Sequence, residues 1–489
     1  MADHKSKRVD TRTVFDPQHR STTLGIILGM SLVAFESLAV ATVAPAFARS
    51  LGGMELYGWV FSSFLLTSLL GVALAGRHID RHGLWPALAA GLGVFGTGLL
   101  VSGLAPSMSV LLGGRALQGL GGGALNTALY ASINLAYPDT LRPRMMALLS
   151  TAWILPTLVG PALAGLIADT TTWRAIFLGI IPFLALLTYL IAPTFRTLRG
   201  TGHKLQGAPQ PESQQEAEQK LRRKSQRELG SNPQETVGGN LRRAFQATLG
   251  AGLFLFGLSA ATPVIVALSV VGALIGLPAL RRLLPPGTFR ARPGLGAVIA
   301  SRGLFAAAFA SVQVFLAVLV AGVQGYPAAV AGLVIASGSI TWTLGAWVQE
   351  RRDGQRRGAG RQQRVLIGTL ILSVGIGTQL VGLAFGQVPL ALTVVGWTLA
   401  GLGIGIAHAT TSVLAFAHVP AQQAGRVSSA LQFADQFAPA LSTGVAGALF
   451  SVAARGSWGE AGGFGLAVTL GFVLALFSVL AAYRIEVSK

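Results

Sequence analysis

Residues 24–46 read LGIILGMSLVAFESLAVATVAPA, an apolar run interrupted by one charge, Glu36. At 1.5 Å per residue, about twenty such residues make a helix that crosses the ~30 Å hydrocarbon core of a bilayer. A carboxylate at the centre of that core costs about 2.5–3.5 kcal/mol on insertion scales. Either this helix does not face lipid at Glu36, or Glu36 has a partner and a task.

The surrounding sequence chooses the membrane. Of the 489 residues, 52% are hydrophobic and only 11% are charged, against about 25% charged in a soluble domain. Long runs without Asp, Glu, Lys or Arg recur along the chain, which marks an all-α integral membrane protein. Its many glycines suit close contact between such helices, and the alternating pattern of a transmembrane β-barrel is absent. The net charge of +19 sits in segments between apolar runs, so no nucleic-acid partner is expected. With no cysteine, disulfide, thiolate and Cys-based metal chemistry are excluded. The first 20 residues are polar, and the first apolar run is too long for a signal sequence, so no cleavable signal is expected.

Apolar runs fall at 24–46, 57–76, 86–104, 109–135, 145–168 and 173–193, then at 244–260, 262–280, 297–321, 327–349, 365–385, 389–416, 424–453 and 462–483. This predicts fourteen transmembrane helices. With both termini cytoplasmic, the inner segments hold 32 Lys and Arg, and the outer ones hold three, Arg49, Arg174 and Arg455; the positive-inside rule supports this topology. Residues 244–284 are the tightest case, because two crossings must turn at Ala261-Thr262-Pro263; a twelve-span chain with a re-entrant hairpin is the alternative. The polar stretch 195–243 reads as a cytoplasmic linker, within which ESQQEAEQKLRRKSQREL has the composition of a solvated or membrane-surface helix. The chain thus divides into a six-helix bundle (1–194), linker (195–243), inserted hairpin and loop (244–293) and a second six-helix bundle (294–489).

Several local patterns carry chemistry. GRHIDRHG (76–83) follows the second span. Gly76 and Gly83 would allow a tight turn, Asp80 would accept from a helix N-terminus or pair with an arginine, and Arg81 would face headgroups. GGRALQGLGGGALN (113–126) places Arg115 about 12 Å inside the fourth span, a long reach for snorkelling, and WILPTLVGPALAG (153–165) carries a proline-kinked fifth span. Two further acids or bases are buried by position: Asp435, and His408, which reads either as part of a proton path or as a packing residue. Arg302, near the inner end of its span, is expected to snorkel. Asn126, Gln313 and Gln432 are candidates to line a polar cavity.

Placed between a second and third span, Gly76, Asp80, Arg81 and Gly83 resemble the signature loop of the major facilitator superfamily, although Leu84 and Trp85 stand where a basic pair is usual. Arg115, Gln118 and Gly119 resemble the fourth-helix motif of its proton-coupled members. Gly160, Pro161 and Gly165 resemble the fifth-helix antiporter motif, with Ala164 in place of one glycine. FESLAVATVAPAFARSLGG and TTWRAIFLGIIPF resemble the first and sixth helices of the fourteen-helix drug/proton antiporters, and GRVSSALQFADQ (425–436) extends the likeness into the second half. The resemblance implies the major facilitator fold and alternating access. It also implies proton-coupled efflux of amphipathic small molecules by a monomer in the cell membrane, with a cytoplasmic gate at 76–83. It implies no enzymatic activity and no cofactor beyond the proton gradient. Similar depths make contact between Glu36 and Arg115 possible, and Asp435 gives the second half its own titratable group; these three are the expected proton-coupling residues. A dedicated metabolite exporter, a symporter, and a non-transporting sensor or scaffold are the alternatives. There are no catalytic or metal sets and no G-x-x-x-x-G-K-[ST] phosphate loop.

Overall fold

The computed structural model describes residues 13–17, 19–138, 140–197, 233–259, 263–355, 360–384, 388–419 and 424–485. The linker helix expected at 212–229 and the turn at 261–262 lie outside them. Among the described residues there are fifteen α-helices. The first seven are α1 (Arg20–Ser50), α2 (Tyr57–His82), α3 (Leu84–Gly103), α4 (Met108–Ala136), α5 (Arg142–Ala152), α6 (Ile154–Thr170) and α7 (Arg174–Thr197). The next two, α8 (Pro233–Ser259) and α9 (Pro263–Leu283), form a hairpin. The last six are α10 (Leu295–Ala317), α11 (Ala328–Gln355), α12 (Arg361–Ala384), α13 (Leu390–Ala417), α14 (Ala424–Arg455) and α15 (Gly459–Tyr483). Eleven helical stretches are long and apolar enough to cross a membrane. α4 is long enough, but Arg115, Gln118, Asn126 and its glycines lower its mean hydropathy.

Two sequence expectations need correction. The fifth span is not one helix but two, α5 and α6, joined at Trp153. Pro156 has no N–H to give to the Ala152 carbonyl four residues back. That carbonyl instead accepts a 2.9 Å hydrogen bond from Ser31 Oγ of α1. GRHIDRHG, for its part, is not a loop: α2 runs through it to His82, and the turn rests on Gly83 alone, at φ 84°. Gly76 is an ordinary helical residue with open space where a Cβ would stand.

α1–α7 and α10–α15 each pack among themselves, and the two sets meet along α2–α14 and α6–α11. The α8–α9 hairpin docks beside the first of these seams. Its Ala247, Ala251, Leu255 and Ala279 share a core with Leu66 and Leu69 of α2 and Phe437 and Ala440 of α14. Outward faces remain apolar, as at Leu155, Leu274 and Leu480, because their solvent is lipid.

Arg49 at the end of α1 bridges Glu460 at the start of α15 at 2.8 Å. α1 and α15 therefore run so that Arg20 and Tyr483 share one end of the bundle, the terminal end. At the opposite end the two sets are sealed together. Tyr57 Oη donates to Val314 O at 2.7 Å, and Ser62 Oγ donates to Ala440 O at 2.8 Å. Asp169, near the end of α6, accepts from the backbone N–H groups of Ala328 and Ala329 at 3.1 and 2.9 Å, an anion on a helix N-terminus. Toward the terminal end, the sets part around a cleft of about 610 Å³ lined by Trp153, Thr157, Trp342, Trp347, Glu350 and Val413 among others.

Candidate functional site: two buried acid–arginine clusters

The first cluster lies in the sealed part of the molecule. α1 brings Glu36 and α4 brings Arg115 to one place, 0% and 2% exposed, and Arg115 Nη1 pairs directly with Glu36 Oε1. The same nitrogen donates to Gln118 Oε1 at 2.6 Å, and Arg115 Nε donates to Val60 O at 3.2 Å. The guanidinium lies over the Phe64 ring, 4.4 Å from its centroid. The site is dry and incompletely bonded. Among the described residues, Glu36 Oε2 and Gln118 Nε2 have no hydrogen-bond partner, and such an orphan costs about 1–3 kcal/mol when buried.

The second cluster was half missed in the sequence. Arg302 does not snorkel: it is 4% exposed and points to Asp435 of α14. The pair is bidentate, Nε to Oδ1 at 2.8 Å and Nη2 to Oδ2 at 2.7 Å. Arg302 Nη1 donates to Ser412 Oγ at 2.7 Å and to His408 O at 3.0 Å. Nη2 also lies 2.8 Å from His408 Nε2. The same His408 nitrogen is 3.6 Å from Asp435 Oδ2. His408, between the rings of Phe305 and Trp342, is therefore part of a charged cluster rather than of simple packing. The Asp435 and His408 side chains are 28% and 31% exposed, so this cluster is less enclosed than the first.

The close packing that holds Arg115 recurs in the second half. GRALQGLGGGALN (114–126) aligns with GWTLAGLGIGIAH (396–408) of α13. A side chain at Gly119 would strike Phe64 O of α2, and one at Gly401 would strike Gly338 O of α11. Thr67 Oγ1 donates to Ala116 O, and Thr341 Oγ1 donates to Thr398 O, both at 2.8 Å. In this register Trp397 stands where the first half has Arg115, and His408 stands where it has Asn126. Trp397 is fully buried and donates its Nε1–H to Ile335 O at 3.4 Å. His408 was already open to two readings in the sequence, and that repeat was a further signal at its position.

The other expected residues fall into separate places. Gly165 and Pro161 sit on the α6–α11 seam: a Cβ at Gly165 would meet Ala328 O, and one at Gly332 would meet Pro161 O. Gly160 faces Phe35 of α1. Asp80 and Arg81 are exposed at the terminal end, and their side chains form no hydrogen bond or ion pair with any described residue. Their second-half counterpart is engaged: Asp353 of α11 takes Arg361 at 2.6 Å and Arg364 at 2.5 Å from α12. Asn126 is half-buried with Oδ1 unpaired. Gln313 is half-buried and Gln432 exposed, and neither lines the cleft.

A helical membrane protein in two packed sets, with charges buried inside each and a cleft between them, is built as a transporter of small molecules. The sequence profile of the Major Facilitator Superfamily matches residues 26–443, and the chain belongs to that superfamily of secondary transporters, which are not enzymes. A Mycobacterium tuberculosis protein named a probable multidrug-efflux transporter is 27% identical over 478 residues, covering 96% of this chain and 94% of its own. Multidrug resistance protein 3 of Bacillus subtilis is 29% identical over 183 residues, 37% of this chain and 36% of its own. Among solved structures, the POT family transporter PepTSo superposes with a TM-score of 0.64 at 13% identity, covering 94% of this chain and 97% of its own. A D-xylose–proton symporter gives 0.59 at 15% identity, covering 94% and 96%. At these identities the solved structures speak for the fold alone.

Proposed function

We propose that this chain is a proton-coupled exporter of amphipathic small molecules that works by alternating access. The observation that carries the proposal is the Glu36–Arg115 pair, a carboxylate and a guanidinium buried together inside a membrane bundle where an unneeded charge would be costly. The full-length likeness to a protein named for multidrug efflux supports the direction of transport. So does the placement of Gly165 and Pro161 on the seam between the two sets, where close backbone approach favours a closed opposite end.

In this reading the chain spans the membrane fourteen times as two six-helix bundles plus the α8–α9 hairpin, as a monomer with both termini in the cytoplasm. The conformation is then inward-facing: outer end sealed, cytoplasmic cleft open. The tryptophans and Glu350 of that cleft suit a substrate with apolar bulk and positive charge. A proton on Glu36 would weaken its hold on Arg115. Glu36 Oε2 can take one without breaking the bond that Arg115 makes to Oε1. Asp435, the less enclosed of the two buried acids, is the group placed to exchange protons on the cytoplasmic side. Proton binding in the outward-facing state and release in the inward-facing one would drive substrate the other way. The Asp80 and Arg81 side chains, held beside the Gly83 turn, would lock the cytoplasmic end when it closes.

The test is export of lipophilic cations and neutral drugs from proteoliposomes under an imposed proton gradient. Wild type should show gradient-driven flux, and Glu36→Gln should lose it while folding normally. Flux that survives unchanged in the variant would remove Glu36 from coupling. A dedicated substrate would show as silence toward the whole panel.

A further inference from the structure

A second cavity, lined by no residue of either cluster, lies in the angle between the α8–α9 hairpin and the second bundle. It measures about 950 Å³ and is walled by α9, α10, α14 and α15. Its lining is almost wholly apolar, with Phe289, Leu304, Phe433, Phe437, Phe477 and Leu480 prominent; only Thr288, Arg290, Ser442 and Arg484 carry polar side chains. Ser442 is already bonded to Ala307 O at 2.8 Å, and Thr288 to Pro285 O at 2.8 Å. No acid lines it.

The two arginines stand together at its terminal end. Arg484 Nη1 donates to Arg290 O at 3.1 Å, which fixes one arginine beside the other's backbone. The Arg290 guanidinium has no partner among the described residues, and both side chains are exposed. Arg281 and Arg282, in the last turn of α9, add positive charge at the same end. From Arg484 back to Leu470, α15 rises about 21 Å along the groove. That exceeds the ~15 Å depth of one leaflet's hydrocarbon. The wall of the groove is open to lipid, since Phe477 is 54% and Leu480 61% exposed.

We propose that this groove is a binding site for an anionic phospholipid of the terminal-end leaflet. Its phosphate would lie on Arg290 and Arg484, and its acyl chains would run between the hairpin and α10, α14 and α15. The arginines make the occupant specific: bulk lipid with a zwitterionic headgroup would fill the apolar part equally well, but only a net negative headgroup is matched by two neighbouring guanidiniums without an acid. A free anion lacks the chains that the apolar walls select. Such a lipid would glue the hairpin to the bundle, and so steady the α2–α14 seam on which the hairpin rests.

The test does not use transport. The purified full chain is mixed with equal amounts of phosphatidylglycerol and phosphatidylcholine in detergent, and retained lipid is counted by native mass spectrometry. Wild type should keep phosphatidylglycerol preferentially, and each of Arg290→Gln and Arg484→Gln should cut that preference about fivefold, in line with the worth of one basic residue at a lipid surface. Phosphatidylglycerol should raise the melting temperature of the wild type, and inorganic phosphate should not. Equal retention of the two lipids by wild type overturns the proposal. So does an undiminished preference in either folded single variant, or a stabilisation that phosphate reproduces.

Discussion

The two halves of the molecule bury the same pair of charges in opposite ways. In α1–α4, Arg115 meets Glu36 where nothing is exposed, and one carboxylate oxygen and one amide nitrogen stay unbonded. In α10–α14, Arg302 meets Asp435 with both carboxylate oxygens held, and its third nitrogen, Nη1, goes to Ser412 Oγ and the His408 carbonyl. The second cluster is more exposed, yet better bonded. The depth is the same, and the end of the bundle sets the difference. Arg115 is the eighth residue of α4, counted from the sealed end, and Arg302 is the eighth of α10, counted from the open end. One chemical solution is thus placed once behind the closed seam and once beside the open cleft. A group that must change protonation needs water at one moment and shelter at another, and the pair of clusters offers both in a single conformation.

The largest effect should come from leaving the dry charge alone. Arg115→Ala strands Glu36, and breaking a buried pair costs about 3–5 kcal/mol; thermal unfolding in detergent would measure it. Glu36→Gln with Arg115→Gln, which removes both charges, should lie nearer wild type than Arg115→Ala. A double variant as unstable as the single one would mean that packing, not charge, is what Arg115 supplies. Arg302→Ala should cost less, about 1–3 kcal/mol, because water can reach Asp435 once the arginine is gone. Equal losses at Arg115 and Arg302 would erase the contrast between dry and wet clusters. Of similar size is Gly165→Ala, whose new methyl would press on the Ala328 carbonyl. Overpacking of this kind costs about 1–3 kcal/mol, but here it falls on the closed state of the seam. The expected readout is a modest melting shift with a shift of distance distributions toward an open opposite end.

The legible part of the fold was its hydropathy. Apolar runs gave the helices, and the placement of Arg and Lys gave a consistent alternation. Where the sequence reading failed, a local pattern was overruled by tertiary contact. Pro156 looked like a kink, but the Ser31 hydroxyl lets the chain break there instead. GRHIDRHG looked like a loop because it is polar, yet a helix that leaves the membrane can stay a helix in water until Gly83 ends it. For the site, matched depth was enough to bring Glu36 to Arg115. The same logic was available for Arg302, but its place near a helix end made snorkelling the simpler reading, and only the position of α14 shows that Asp435 is within reach. The repeat between 114–126 and 396–408 was visible as a spacing of glycines, and it would have placed His408 opposite Asn126.

The central claim is that the carboxylates of these two clusters carry the transported proton. Proton release on substrate binding tests it most directly. A lipophilic cation such as tetraphenylphosphonium is added to purified protein in weakly buffered detergent, and the pH change is followed for wild type, Glu36→Gln, Asp435→Asn and the double variant. The account predicts release from wild type, less from each single variant, and none from the double variant with its fold intact. Undiminished release from a folded double variant would contradict it, and would place the proton on another group.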